Sequence, residues 1–444
     1  MLVFQITKLS SWVVCTIACF VIAAGSVAQE LTYSGGIKAG NKNGSIPVWT
    51  GGLTAPPRGW DKKKGFKNPF AGEKPLFVIN GSNYSEYETK LSPGLIALLK
   101  DNSRFSMPVF KTHRTAVLPN AEIEVIKAET GKASIANHKI VGRVKSHMPF
   151  PNPSNGEEAI YNYLLRYVGN GFEREYAWFP VRPGKKYYKV GFKDRVVYAN
   201  SMKPNQVDKG LNYAFYANFT APSTLVGTVY LVHEFVDTIQ NPRAAWIYNA
   251  GARRVRRAPD LAYDNVADGT EGMRTTDQYF AYNGATDRYD WKLIGRKEMF
   301  VPYNTYDLTN KSLKYADILD EGTVNSKYMR YELHRVWVVE ATLKSNSKHI
   351  YGKRVFYMDE DSWSILGEDC YDTRGNLWRI GVHGLIQIYD KLVPWPNLLV
   401  WHDLSNGNYL AAHLDNEVKK PIRFGINDRW TNFQPDALRR RGTR

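Results

Sequence analysis

The sequence predicts an α+β protein that is mainly β, in which helices cover a large curved antiparallel sheet and an extended arm precedes it. Two observations carry this prediction. From about residue 173 onward, apolar and polar residues alternate with a period of two in several separate runs, which is the pattern of half-buried strands. The chain is also rich in aromatic residues, with 28 Tyr, 19 Phe and 12 Trp, and aromatic side chains favour sheets.

Turn-forming segments separate several of these runs, as in antiparallel hairpins. They are Asn249-Ala250-Gly251, Asp359-Glu360-Asp361 and Thr373-Arg374-Gly375-Asn376. A sheet so rich in aromatic residues must close on itself or be covered, because an open apolar face of that size would aggregate. No repeat of fixed length is present, which counts against a propeller. The alternating runs are Tyr187–Phe192, Thr228–Val236, Ala244–Tyr248, His334–Leu343, Lys353–Met358, Trp363–Asp372 and Leu377–Ile388.

The first part of the chain has a different character. Residues 29 to about 75 are rich in Gly, Pro, Asn and Lys without sustained periodicity, which predicts an extended arm. Helices are expected at Ser82–Lys100, which Pro93 must kink or divide, and at Gly156–Asn170, where apolar residues share a face. We therefore expect an N-terminal arm and helical segment over 29–150 and an antiparallel β domain over 151–444. The basic tail of that domain, Arg439-Arg440-Arg441, is expected to be disordered and solvated.

The first 28 residues have the pattern of a cleavable export signal. An apolar run of thirteen residues, Trp12 to Ala24, follows a short start with one charge, Lys8. That length fits a signal peptide and falls short of the roughly 18 residues that span a bilayer. Small residues at Ser26 and Ala28 predict cleavage after Ala28. The mature chain is therefore expected to be free in the periplasm.

Composition and charge narrow the classes of function. The mature chain of about 416 residues is long enough to build a large core, and it retains only Cys370, so no intrachain disulfide is expected. The formal net charge of the full chain is +16. Outside the cytoplasm, such a basic surface points to anionic lipid head groups or an acidic partner rather than to nucleic acid.

Motifs of catalysis and of metal or cofactor binding are absent from the sequence. There is no GxSxG elbow, no phosphate-binding glycine loop and no paired-histidine zinc motif. Cys370 lies in a strand-like run and is interpreted as a small buried residue rather than a nucleophile. The trio Asp359-Glu360-Asp361 is interpreted as a solvated turn rather than a calcium site. We therefore expect no enzyme, no metal and no cofactor.

One basic cluster is a candidate for docking to an anionic membrane surface. In strand geometry, Arg254 and Arg256 face one way, and Arg253 and Arg257 the other. Such a strand is suited either to protecting the edge of a sheet from pairing or to docking on anionic lipid. The sequence favours neither role over the other.

Several longer strings resemble the motifs of domain-of-unknown-function family 1329, exported proteins of Gram-negative bacteria. The resemblance runs over essentially the whole mature chain. Its strings include Gly44-Ser45-Ile46-Pro47-Val48-Trp49-Thr50-Gly51-Gly52-Leu53, Asn68-Pro69-Phe70, Lys90-Leu91-Ser92-Pro93-Gly94, Thr112-His113-Arg114, Ala245-Trp246-Ile247-Tyr248, Arg335-Val336-Trp337-Val338-Val339-Glu340-Ala341 and Tyr357-Met358-Asp359-Glu360-Asp361-Ser362-Trp363.

This family is similar in its β-rich part to the lipoprotein carriers LolA and LolB, whose half-open antiparallel barrel encloses an apolar cavity. The resemblance implies a LolA-like half barrel that carries lipid or acylated cargo, with exporter and outer-membrane proteins as partners. It implies no catalytic residues. Taken singly, each candidate for the cavity lining could also be an ordinary residue of the hydrophobic core. The candidates are pairs of residues that share a strand face: Trp246 and Tyr248, Trp337 and Val339, Val355 and Tyr357, Trp363 and Ile365.

Three hypotheses of function follow. The first is a periplasmic carrier, in which an apolar cavity shields an acyl chain from water and basic rims attract anionic head groups. The second is a glycan-binding or glycan-modifying envelope protein, which aromatics on an open cleft would favour. The third is a scaffold subunit of an exporter.

Overall fold

The computed structural model of the chain is mainly β and is organised around one large sheet. It describes residues 29–142, 145–203, 210–259, 261 and 263–442. The predicted signal peptide, residues 1–28, lies outside the described residues. Within them, a sheet that does not close and a few short helices confirm the predicted fold class, a mainly β protein with a large antiparallel sheet.

The strands are numbered here in chain order. They are β1 Phe77–Ile79, β2 Met107–Val109, β3 Ser134–Ala136, β4 Lys139–Val141, β5 Phe172–Arg182, β6 Lys186–Tyr187, β7 Val190–Tyr198, β8 Met202–Lys203, β9 Leu211–Ala221, β10 Val229–Phe235, β11 Ala244–Asn249, β12 Arg254–Arg257, β13 Tyr289–Pro302, β14 Tyr331–Leu343, β15 Lys353–Asp359, β16 Ile365–Tyr371, β17 Leu377–Ile388, β18 Val393–Asp403, β19 Tyr409–Leu414, β20 Arg423–Phe424 and β21 Asp428–Arg429.

Within the described residues, the main sheet is an antiparallel series of thirteen strands. Its order is β13, β14, β15, β16, β17, β18, β19, β5, β7, β9, β10, β11 and β12. Strands β1, β2, β6 and β20 add to it at the sides. The three predicted hairpin turns connect β11 to β12, β15 to β16, and β16 to β17. Strands β12 and β13 form its two edges.

The sheet curves strongly around its inner face. The side chain of Gln278 donates a 2.8 Å hydrogen bond to Glu368 in β16, while the next residue, Tyr279, stacks on Phe215 in β9. These two strands are six positions apart, which is about 29 Å in a flat sheet. Two consecutive side chains cannot span that distance. The strands must therefore wrap around the segment that contains these residues.

The helices are short. They are α1 Pro93–Asp101, α2 Asn120–Glu129, α3 Gly156–Leu164, α4 Tyr315–Ile318 and α5 Pro435–Gly442, with a 3-10 helix at Tyr84–Lys90 before α1. Pro93 divides the predicted first helix as expected, and the Ser92 hydroxyl caps α1 by accepting from the backbone N–H of Leu95. Helix α3 begins where predicted, at Gly156, and ends earlier than predicted, at Leu164.

Helix α1 packs on the outer face of the sheet. Leu95, Leu98 and Leu99 are buried there against strands that include β17 and β18. Its N-terminus is tied to β16 by Asp369, whose carboxylate accepts hydrogen bonds from Ser92 Oγ at 3.1 Å and from the backbone N–H of Gly94 at 3.2 Å. Burial raises the pKa of Asp369 to about 6, against the lowering effect of these hydrogen bonds.

We expect Asp369 to make the stability of the protein pH-dependent. Its pKa is higher in the folded than in the unfolded chain, so its contribution is full below pH 4 and is lost as the pH rises to about 6. Replacing Asp369 with asparagine should therefore flatten the curve of unfolding free energy between pH 4 and 6. Urea unfolding of both proteins at several pH values measures the difference, and parallel curves would contradict the prediction.

The C-terminal end corrects one sequence-based expectation. The segment around Arg439-Arg440-Arg441 was expected to be disordered, but it forms α5, which packs on β10, β11 and β12. The physical reason is that two apolar residues of this segment, Ala437 and Leu438, are buried. Leu438 belongs to the apolar cluster that also contains Tyr248. The arginines lie on the remaining helix surface, and Arg441 stacks over the ring of Tyr216.

The inner face of the sheet is covered by residues 263–288, which we call the cover segment. It connects edge strand β12 to edge strand β13 and contains a 3-10 helix, Thr276–Gln278. Helix α3 lies beside it against β13 and β14. Neither this segment nor β13 is predicted from the sequence, because neither shows a sustained period of two or of 3.6. In the part of the chain that the structure describes, no helix is long and apolar enough to cross a membrane.

Candidate ligand cavity beneath the cover segment

Two adjoining cavities lie between the inner face of the sheet and the cover segment. The main cavity has a volume of about 330 Å³ and is bounded by α3, β9, β10 and β11. The second, which we call the aromatic cavity, has a volume of about 80 Å³ and lies over β5, β7, β9 and β10. Glu234, Arg243 and Asn283 line both. The main cavity reaches the lower end of the size range of small-molecule pockets.

Aromatic rings dominate the lining of the second cavity. Trp178 of β5 lies 4.2 Å from Phe192 of β7, which in turn lies 4.6 Å from Phe219 of β9, measured between ring centroids. From the cover segment, Tyr279 stacks on Phe215 at 5.2 Å. Such offset and tilted ring contacts make a largely apolar surface. Chemically, it suits an apolar chain.

A hydrogen-bonded group centred on an ion pair of the sheet fastens the cover segment between the two cavities. Arg243, just before β11, donates through Nε to Glu234 of β10 at 2.7 Å. Its other nitrogens donate to the backbone oxygens of Leu261, at 3.1 Å, and of Asn283. The Asn283 amide also donates to Glu234 at 2.9 Å. Burial raises the pKa of Glu234, and Arg243 opposes that shift. We call these three residues, Glu234, Arg243 and Asn283, the latch.

A second group of buried charges holds the 3-10 helix of the cover segment. Arg354 of β15 is fully buried and lies 3.1 Å from both Asp277 and Glu368. His349 also lies 3.1 Å from Asp277. Arg354 and the hydrogen bond with His349 outweigh the effect of burial and hold the pKa of Asp277 well below its usual range. This group therefore joins the cover segment to the half of the sheet opposite the latch.

The structure places the eight predicted cavity residues in three separate apolar clusters. Four belong to the inner-face core, where Trp337 stacks on Trp363 at 5.8 Å. Two belong to a cluster on the opposite face of β14 and β15. The last two pack against the C-terminal segment. None of the eight is among the residues that line the two cavities. In cluster order they are Trp337, Val339, Trp363 and Ile365; Val355 and Tyr357; Trp246 and Tyr248.

The residues that do line the cavities carried a weak sequence signal that was missed. Tyr176 and Trp178 are spaced two apart in β5, as are Phe215, Ala217 and Phe219 in β9. This is the alternation of a strand with one aromatic face. Flanking residues such as Ala177 and Tyr216 are also apolar, so the alternation was hard to see.

The predicted docking arginines lie on or beside edge strand β12. Arg253, Arg254, Arg256 and Arg257 are all exposed. Arg257 lies over the ring of Trp246, with 4.8 Å from its guanidinium carbon to the ring centroid, and also lines the main cavity. The positively charged strand β12 therefore lies at the rim of the main cavity.

The acidic trio at the turn between β15 and β16 is buried, which corrects its interpretation as a solvated turn. Asp359, Glu360 and Asp361 are each at most 2% exposed. Arg114 binds Asp361 with two hydrogen bonds, of 2.8 and 2.6 Å, and Glu360 accepts from the backbone N–H of Ile37 at 3.1 Å. The physical reason is that these carboxylates hold the N-terminal arm against the sheet.

Part of this trio has the geometry of a metal-binding group. Oxygen atoms of Asp359 and Asp361 lie within 4.8 Å of a ring nitrogen of His334. The carboxylate of Asp361 is already held by Arg114, however, so the group acts as an ion-pair network that fastens the arm. Cys370 is buried, and burial raises the pKa of its thiol, as fits a core residue.

Taken with this architecture, comparisons of the sequence assign the chain to a family. Residues 78–439 match the family model described as protein of unknown function DUF1329, and the chain belongs to that family. It is 42% identical over 425 residues to the uncharacterized protein PA3922 of Pseudomonas aeruginosa, which covers 95% of this chain and 93% of that protein.

Solved structures with low sequence identity show partial similarity. A Vibrio parahaemolyticus domain described as an outer membrane lipoprotein-sorting protein has a TM-score of 0.44 at 15% identity, covering 64% of this chain and 97% of that one. A DUF1329 family protein from Desulfovibrio piger has a TM-score of 0.41 at 16% identity, with 61% and 92% covered. The LolA superfamily protein NE2245 from Nitrosomonas europaea has a TM-score of 0.37 at 12% identity, with 61% and 93% covered.

Proposed function

We propose that the chain is a non-catalytic carrier in the periplasm that holds the apolar part of a lipid or of an acylated lipoprotein on the inner face of its sheet. The observation that carries the proposal is the aromatic lining beneath the cover segment. An apolar surface enclosed between a sheet and an irregular segment can be exposed by moving that segment alone. The strands need not separate.

The energetics of acyl-chain burial suit such a carrier. Each methylene moved from water into an apolar cavity contributes about 0.8 kcal/mol. The main cavity, at about 330 Å³, takes only part of a long chain, so a full acyl chain requires the cover segment to shift. This shift of the cover segment breaks the latch, which lies beside the main cavity. Binding and release are thus coupled to one local opening.

The arginines on β12, together with Arg253 beside it, form a basic surface through which the carrier can bind a membrane. Arg253, Arg254 and Arg256 are exposed beside the main cavity, where Arg257 forms part of the lining. Clustered basic side chains are attracted to anionic lipid head groups. We include docking on an anionic membrane surface in the proposed function, together with delivery to exporter or outer-membrane proteins. The buried rings do not favour the glycan-binding alternative, which requires aromatics on an open cleft.

The proposal is tested on protein purified from the periplasm of expressing cells. Native mass spectrometry and lipid extraction should find bound lipid, and the protein should transfer a fluorescent fatty acid between vesicles. Transfer should be faster when the vesicles contain anionic lipid. A mass equal to that of the bare chain, together with no transfer, would refute the carrier function.

We expect the substitution Ala245→Trp to block the main cavity. Ala245 is buried and lines that cavity, and an indole there occupies space that an acyl chain would use. The expected result is at least about a tenfold loss of fatty-acid affinity. The matched control is Ala252→Trp in the exposed hairpin between β11 and β12. Equal affinities for the two variants would place the ligand elsewhere.

A further inference from the structure

Arg274 of the cover segment is a buried arginine without a carboxylate partner. It is 5% exposed and lines the aromatic cavity. Within the described ranges, no acidic group lies within salt-bridge distance of it. Its Nη1 donates a long hydrogen bond, 3.4 Å, to the backbone oxygen of Thr275, and its buried Nε has no partner. Its guanidinium carbon lies 4.5 Å from the ring centroid of Trp178.

Other buried arginines of the same inner face are neutralised. Arg354 contacts Asp277 and Glu368, and Arg174 lies 3.1 Å from Asp194. A buried guanidinium without a counter-ion is costly. Burial lowers the pKa of Arg274 to about 10, so the group is still charged at neutral pH. The positive charge in the aromatic cavity therefore lacks the partner that its neighbours have.

A second unpartnered donor lies at the same place. The indole Nε1 of Trp178 is buried and has no hydrogen-bond partner. Trp178 and Arg274 line the same cavity and stack on each other. Buried N–H groups are normally satisfied by a hydrogen-bond partner, and an unsatisfied one destabilises the folded chain. Two such donors side by side, one of them cationic, are the complement of an anionic oxygen group.

The two carboxylates that line this cavity are engaged elsewhere. Asp268 accepts a hydrogen bond from the hydroxyl of Tyr230. Glu234 belongs to the latch, where Arg243 and Asn283 bind it. Neither forms an ion pair with Arg274. The cavity thus combines an apolar aromatic wall with one uncompensated positive charge, which is the pattern of a site for an amphiphile.

We propose that Arg274 and Trp178 bind the anionic head group of an amphiphile, a carboxylate or a phosphate, whose apolar chain lies along the aromatic cavity toward the main cavity. This inference rests on the proposed carrier function and names the class of its cargo. Arginine presents planar paired donors that match both carboxylate and phosphate oxygens. The two cavities meet at the latch, so a chain that starts at Arg274 has a path into the larger space.

The test compares three ligands with a sixteen-carbon chain: palmitate, palmitoyl lysophosphatidic acid and the neutral 1-hexadecanol. Each competes with a fluorescent fatty acid for the full mature chain. The wild-type protein should bind at least one of the two anionic ligands about 10- to 100-fold more tightly than the alcohol. The tighter of the two identifies the head group. Arg274→Met should abolish this preference, and Arg274→Lys should keep part of it.

The outcomes separate this inference from the carrier function. Equal binding of acid and alcohol by the wild type, or an undiminished preference in Arg274→Met, would overturn the role of Arg274 and leave the carrier function standing. Binding of none of the three would overturn both. Trp178→Phe keeps an aromatic ring but removes the five-membered ring that carries the indole N–H, so a smaller loss of the same preference is expected from it. Thermal unfolding of each variant confirms that it is folded.

Discussion

Replacing Arg354 with methionine should lower the free energy of unfolding by about 3–5 kcal/mol. Arg354 is completely buried and contacts Asp277 and Glu368, each at 3.1 Å. Methionine fills much of the volume but leaves the two carboxylates buried without the cation that they share. Both the cost of burying an unpaired charge and the repulsion between the carboxylates act in the same direction. Urea unfolding with linear extrapolation measures the loss.

The matched control is the same substitution at Arg274. That arginine is also buried but has no carboxylate partner, so its removal leaves no buried charge unpaired. We expect the stability of Arg274→Met to be unchanged or raised. The two substitutions thus remove the same chemical group from the same inner face with opposite expected effects. Equal losses would show that packing, and not charge pairing, decides the result.

Replacing Arg243 with methionine should release the cover segment. This arginine binds Glu234 in the sheet and the backbone oxygens of Leu261 and Asn283. Losing these charge-assisted hydrogen bonds favours the open form by about 10- to 100-fold. Hydrogen exchange of peptides from residues 263–288 should accelerate by that factor, and fatty-acid exchange should accelerate with it. The buried Glu234, whose pKa is already raised, then takes up a proton more readily.

An exposed ion pair provides the control for the latch. Arg182 of β5 also binds the cover segment, with hydrogen bonds of 2.7 and 2.8 Å to Glu271, but its side chain is 61% exposed. Exposed pairs contribute little, so Arg182→Met should leave the exchange rates nearly unchanged. Equal acceleration in both variants would mean that any contact to the segment, and not the latch, controls opening.

The fold class was predictable from the sequence because strand alternation and turn chemistry are local. The hairpin turn at Asn249-Ala250-Gly251, the division of the first helix at Pro93 and the start of α3 at Gly156 all follow from neighbouring residues. Strand β13 was missed because its alternation ends after Leu293, at the bulge next to Gly295, and the charged run Arg296-Lys297-Glu298 follows on this edge strand. Edges tolerate such residues, so their pattern is weak.

The candidate site was not predictable, because it depends on which strand face the cover segment occupies. Trp246 and Tyr248 have the same alternation as Trp178 and its neighbours, but they face α5 and the C-terminal segment. The burial of Asp361 likewise depends on Arg114, 247 residues away in the chain. Both residues belong to strings that resemble the family motifs, and the fold brings these two strings into contact.

A sheet that stops short of closing has two free edges, and free edges invite strands from other molecules. Both edges here carry features that oppose such pairing. Strand β12 is short and bears three arginines, and strand β13 is interrupted by a bulge at Gly295, whose φ of 128° is outside the range of ordinary strands. Two copies of the chain that approach through β12 therefore repel each other. These features disfavour pairing of either open edge with a strand of another copy.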